Sequence, residues 1–472
     1  MSRCPRHLLP VVALLALTAL PLGAQDGLTP ADIARHAARR ERAYSLLGTS
    51  LLVVQSRWSQ AGASEPSFDQ DPTFYYYTGL DHLLGAVLVL DGGTRRAELF
   101  LAKPGLGSPA ENLMRAAGGT RRSAASLQVD GVADWSALPA YLDAQLAVRP
   151  GLTIYVDAGG VDAMLGSRLG TPLDTTAAVA NPHLAWRRAL RQRWPNAAIA
   201  PDTVVSPALR VVKDSSEVAI LRRVAASSVV AFHAGLARFG PGRRQRDVEA
   251  AVVEACTRLG DGPAFWPWAM TGPNAAFPVP FTSSLDGHNL DRTMRTGEVA
   301  RFDIGCKADH YMGDVGRTVP VSGTFTPGQA EVIDLLVAVY RAGLATLRDG
   351  APAAGLLQAS VAEAGRRGGA MRTPLGRHAA ALLTQPDSLP FWQWHGIGLD
   401  YAERLPPVLE AGMVLDYEPI FVVEGQGFYM EDMVLVTPGG YQILTTGVPS
   451  TAAEIQRAMR HARTVHARLL RE

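Results

Sequence analysis

A chain of 472 residues exceeds what one hydrophobic core usually supports, which predicts two domains. With 47% hydrophobic and 19% charged residues it is neither disordered nor fibrous. A formal net charge of +1, with no long basic or acidic run, excludes an electrostatic case for nucleic acid or an anionic membrane as partner.

At the amino terminus Arg3 and Arg6 precede the apolar run LLPVVALLALTALPLG, and Ala24 offers a small residue at which a signal peptidase could cut. Residues 1–24 are therefore expected to be a signal peptide and the protein to be exported, periplasmic or secreted, with no membrane association after cleavage. A membrane anchor fits less well, because the run is shorter than the ~20 residues of a bilayer span and contains prolines. Cys4 falls in this segment, which leaves Cys256 and Cys306. Two cysteines make no disulfide scaffold, and spacing alone leaves open whether they form a single bridge.

Thr29, Pro30 and Asp32 supply an N-cap, a first-turn proline and a first-turn acid, so a helix is expected from residue 30. The strand-like runs SLLVVQ, GAVLVLD, AELFLA and LTIYVD alternate with helical stretches, the pattern of an α/β domain. The stretch from Arg193 to Glu217 has three prolines and no strong period, so the domain junction is placed near residues 195–212, dividing the chain into residues 25–205 and 206–472. Past it, Asp214 with Glu217 forms a capping box before a long helix. RDVEAAVVEACTRLG makes a second helix, and a third is capped by Thr326, Pro327 and Gln329 and stopped by Gly350.

Strands between these helices carry acids in two symmetric pairs. Asp303 and Asp314 flank Ala308-Asp309, and Glu418 and Glu431 flank Glu424-Gly425. Residues placed symmetrically about a hairpin turn sit opposite each other on one face, so each hairpin is expected to offer an opposed carboxylate pair. Ionised acids held side by side in apolar strands repel, and must share a proton or bind cations. Four of them with the imidazole of His395, in FWQWHGIGLDY, favour metal: two divalent ions, with manganese, zinc, cobalt or iron ahead of calcium. Taken singly, each acid also reads as a solvated hairpin residue and His395 as structural.

Together these segments resemble the pita-bread metallopeptidases, in the aminopeptidase P and prolidase branch. The resemblance rests on Asp303, Asp314, His395, Glu418 and Glu431 in that order, on HGIG, EP and ED, and on SFDQDPTFYYYTGLD in the amino-terminal half. It implies an α/β fold in which an aminopeptidase P-like amino-terminal domain, 25–205, precedes a pita-bread catalytic domain, 206–472. It also implies a dinuclear centre, manganese first, with those five residues as ligands and Glu418 moving protons. The implied reaction is cleavage between a first residue and a following proline, a bond most peptidases cannot handle because proline lacks an N–H and has a fixed φ. Peptides are then the partners, and a homo-oligomer is expected.

The pattern departs from the family around the ligands. Val279 and Ala402 stand where histidines are usual, Tyr429 where an arginine is, Gly316 where threonine or serine is, and Trp394 where a small residue is common. His288 and Tyr429 become candidate replacement catalytic groups. Trp266, Trp392 and Trp394 become candidate walls of an apolar subsite, with core packing as the alternative. Besides the Xaa-Pro aminopeptidase reading, a prolidase-type dipeptidase and a catalytically weak binding protein on the same scaffold stay open. A metal-free creatinase fits less well, because such enzymes lack this acid set.

Overall fold

The computed structural model describes residues 28–57, 70–80, 83, 85–101, 124, 128–158, 182–276, 291–386 and 391–469. Residues 1–24, Val279 and His288 lie outside them. The first helix, Pro30–Leu47, begins as the local sequence requires: the Thr29 hydroxyl accepts from the backbone of Asp32, whose carboxylate returns a bond to the Thr29 N–H. A six-stranded mixed sheet follows, made of β1 (Leu51–Gln55), β2 (Val87–Asp91), β3 (Arg96–Leu101), β4 (Gly131–Asp134), β5 (Thr153–Asp157) and β6 (Ala198–Asp202) in the order β4-β3-β2-β1-β5-β6. β1 and β2 are buried along their whole length, as strands covered on both faces are.

The stretch read as an aperiodic junction is instead structured. It contains β6 and a helix, Val205–Val211. Pro201 within β6 obscured the strand; it is tolerated because β6 is the edge of the sheet, with only β5 beside it. Helix Ser215–Leu236 then starts from the Asp214–Glu217 capping box. Arg39 of the first helix donates to Asp214 at 3.1 Å, and Tyr44 and Leu47 share a buried cluster with Leu221, Val224, Ile397 and Val414, so the two halves are packed together.

The second sheet is antiparallel and eight-stranded. It comprises β7 (Trp268–Thr271), β8 (Val299–Ile304), β11 (Val315–Pro320), β12 (Phe391–Gly396), β13 (Val414–Val423), β14 (Gln426–Glu431), β15 (Met433–Thr437) and β16 (Gly440–Ile443); the short pair β9 (Lys307–Ala308) and β10 (Tyr311–Met312) extends the β8–β11 hairpin. Its order is β16-β15-β13-β14-β11-β8-β7, with β12 on the other edge of β13. Helices Pro327–Leu344, Gly355–Gly368 and Pro374–Leu383 cover one face, where Val332, Leu336, Tyr340, Leu356 and Leu383 join the largest core. Cys256 and Cys306 are bonded, which ties helix Gln245–Leu259 to the turn after β8.

The two hairpins differ from expectation in one respect. In β8–β11 the turn centres on Asp309 and His310, both at positive φ, and Asp303 pairs with Gly316. Asp314 therefore stands diagonal to Asp303 on the same face rather than opposite it. In the other hairpin the turn lies at Glu424-Gly425, as expected. The pairs Asp416 with Met433 and Ile420 with Tyr429 share one offset, which sets Glu418 opposite Glu431.

Candidate metal centre

Strand alternation gathers the acids. On β13, Asp416 and Glu418 point to one side while Tyr417 between them points into the helix-covered core. β12 lies alongside with His395 opposite Asp416 and Gln393 opposite Glu418, so the imidazole joins the same face. Glu431 ends β14, next to Gly316 of β11, and brings that face to Asp314 and Asp303. His395 Nε2 lies 3.5 Å from Glu418 Oε1 and 3.8 Å from Glu431 Oε1. One ligand atom each from Asp314, His395, Asp416 and Glu431 lies within 4.8 Å of all the others. The sheet thus unites all five residues expected from the motifs and adds a sixth, Asp416.

These groups are nearly sealed from water. Asp314, Glu418 and Glu431 are 6%, 5% and 1% exposed and Asp416 is fully buried. Burial raises the Asp303 carboxyl to about 6. Burial also pushes Asp314, Asp416 and Glu431 well above the ordinary carboxylate range, and the neighbouring carboxylates add to it. Asp303 Oδ1, Asp314 Oδ1, Glu431 Oε1 and both oxygens of Asp416 have no hydrogen-bond partner. Buried acceptors without donors cost about 1–3 kcal/mol each, more when charged. A cluster of oxygen donors with one imidazole and several orphaned oxygens is a fit for divalent cations.

Other buried groups hold the cluster in place. His395 Nδ1 lies 3.1 Å from the Gly396 carbonyl, which turns Nε2 toward the acids. Asp432, beside Glu431, is paired with Arg317 through bonds of 2.8 and 2.9 Å and accepts from Thr445. The Tyr429 hydroxyl donates to Glu431 Oε2, and the Arg301 guanidinium lies 5.6 Å from the Tyr429 ring centroid. Tyr429 is therefore committed to a carboxylate of the cluster, a positioning arrangement.

The tryptophans are placed differently from the apolar subsite expected of them. Trp392 and Trp394 alternate with His395 and fall on the opposite face, where their rings lie 6.2 and 6.5 Å from that of Tyr417 and pack on the main core. Trp266 is half exposed and donates to Glu249 at 3.1 Å. Asp416 and Arg301, in turn, escaped the motif reading. Each stands two residues before an acid of the motif set, Glu418 and Asp303 respectively, and the period of a strand is the signal that could have found them.

An antiparallel sheet that carries buried carboxylates and one imidazole on one face and a helical layer on the other, following a six-stranded mixed sheet in the chain, is the pita-bread arrangement. Residues 219–438 match the model of metallopeptidase family M24. The chain is 26% identical to a Xaa-Pro aminopeptidase of Escherichia coli over 282 residues, 54% of this chain and 60% of that protein. It is 29% identical to Xaa-Pro aminopeptidase 2 of Streptomyces coelicolor over 273 residues, 52% of this chain and 56% of that protein. The matches thus span under two thirds of these relatives. The fold extends further: aminopeptidase P from Escherichia coli with the inhibitor Pro-Leu superposes on 92% of this chain and 99% of its own, with a TM-score of 0.66 at 23% identity. Proline aminopeptidase P II from Yersinia pestis covers 91% and 99%, with a TM-score of 0.67 at 22% identity.

Proposed function

We propose that this protein is an exported, metal-dependent Xaa-Pro aminopeptidase, releasing the first residue of peptides whose second residue is proline. The observation that carries the reading is the convergence of Asp314, His395 and Glu431 within 4.8 Å of one another, with Glu418 3.5 Å from His395. Xaa-Pro aminopeptidases of Escherichia coli and Streptomyces coelicolor, to which the chain is similar, support the substrate class.

Asp303, Asp314, His395, Glu418 and Glu431 would hold two divalent ions, manganese first. When bound, such ions polarise a carbonyl and bring the pKa of water toward neutrality. The chain's own residues supply the rest. Glu418, on the rim of the cluster beside His395, accepts a proton at its carboxylate and returns it to the leaving nitrogen of proline. Tyr429 fixes the rotamer of Glu431, and the Gly396 carbonyl fixes the imidazole. Burial lowers the local dielectric and strengthens each of these interactions.

Metal content by elemental analysis and hydrolysis of Xaa-Pro peptides of increasing length test the proposal. Two ions per chain with cleavage of tripeptides and longer peptides support it. Cleavage of dipeptides alone replaces it with a prolidase reading. Two ions with no cleavage of any peptide would replace it with a binding protein on this scaffold, the reading that Ala402 and Tyr429, which offer neither an imidazole nor a guanidinium, bring closer.

A further inference from the structure

We propose that Asp416 is a sixth protein ligand of the metal centre, on the His395 side. The inference rests on the metal-centre reading above and goes beyond its five residues. Asp416 is fully buried, it stands opposite His395 in the β12–β13 ladder, and both its carboxylate oxygens lack a hydrogen-bond partner. Its neighbour Asp432 shows what a structural acid at this depth looks like, with a bidentate arginine and a threonine hydroxyl satisfying it. Asp416 has no such partners.

The geometry points the same way. The tight group whose ligand atoms lie within 4.8 Å of one another contains Asp416 together with Asp314, His395 and Glu431. Charge agrees with it: the carboxylates of Asp303, Asp314, Asp416, Glu418 and Glu431, set against the buried guanidinium of Arg301, leave four negative charges, which two divalent cations neutralise. Asp416 and Arg301 therefore enter the site as compensating additions. An acid that close to the imidazole gives the ion on that side one more anionic oxygen and a tighter hold.

The test compares the full-length protein with Asp416→Asn and Asp416→Ala, each stripped by chelator and titrated with manganese(II) by calorimetry. Two ions are expected in the unaltered protein. In both variants one of them should bind at least tenfold more weakly, the loss typical when a metal site is deprived of a ligand or its support. The metal-free variants should melt no lower than the unaltered metal-free protein, since an unpaired buried acid has been removed. Asp416→Asn keeps the shape and decides the matter if the alanine variant does not fold. Anomalous density for manganese about 2.2 Å from an Asp416 oxygen would agree. A change of less than threefold at both ions, or manganese more than about 3 Å from Asp416 in a crystal, overturns the inference while leaving the five-residue centre standing. Failure of the unaltered protein to bind manganese overturns the centre itself.

Discussion

The ring of Tyr429 fills the space that a side chain at Gly316 would need: a Cβ built on Gly316 would stand 1.9 Å from Tyr429 Cε1. Gly316 pairs with both Asp303 and Glu431, so the glycine lies between two strands that carry acids of the cluster and admits the phenol that orients Glu431. Gly316→Ala should destabilise the protein by about 1–3 kcal/mol, as overpacking does. Shortening Tyr429 to alanine in the same chain should recover part of that loss, and thermal melts of the two single variants and the double variant measure the coupling. Strict additivity would show that the close approach is not what the glycine serves.

Tyr429→Phe removes one donor and almost no volume. The manganese affinity should fall about tenfold, because a ligand carboxylate loses the bond that orients it, and turnover on an Xaa-Pro peptide should fall with it. Unchanged affinity would mean that Glu431 is held without the hydroxyl.

Metal removal should expose the repulsion among the acids. In the metal-free fold the Asp303 carboxyl is raised to about 6 and those of Asp314, Asp416 and Glu431 further. In the unfolded chain all titrate near 4. Their contribution to stability is therefore complete below about pH 4 and is lost as pH rises through 6 and above. Bound cations need the ionised forms and act in the opposite sense. The gap in melting temperature between manganese-loaded and chelated protein should widen from pH 5 to pH 8, and a gap that narrows over this range would contradict the assignment of these acids to one metal site.

The bond between Cys256 and Cys306 closes a loop across a sequence separation of 50. Replacing both cysteines by alanine should cost about 2–4 kcal/mol by loosening the constraint on the unfolded chain. Protein prepared from an oxidising compartment and unfolded without reductant should show no free thiol from this pair. Two titratable thiols would remove the bridge and weaken the case for export.

Much of this was legible in the residues. Helix starts at Thr29, Asp214 and Thr326 could be read because a cap is a contract between residues three positions apart, and the structure shows all three capping boxes. That Asp303, Asp314, His395, Glu418 and Glu431 belong together was legible through their order and neighbours, and the sheet brings them to one face. The turn at Glu424-Gly425 was legible too, since glycine accepts its positive φ freely. At Asp309-His310 no glycine marks the turn, and the centre lies one position later than symmetry about the acids suggested. That shift moves the strand partner of Asp303 by two residues, to Gly316, yet keeps both acids on one face, because side chains alternate with period two.

Other features depended on contacts between segments far apart in the chain. Trp392 and Trp394 flank the ligand segment in sequence, but the pairing of β12 with β13 turns them away from His395 and onto Tyr417. Asp416 looks like any strand acid until β12, β13 and β14 meet and leave both its oxygens buried without a donor. Residue type and spacing act over a few positions and so determine caps, turns and the face a side chain takes. Which faces meet, and which buried acid goes unpaired, follows from pairing over tens to hundreds of residues, where burial and hydrogen-bond satisfaction are settled for the whole sheet at once.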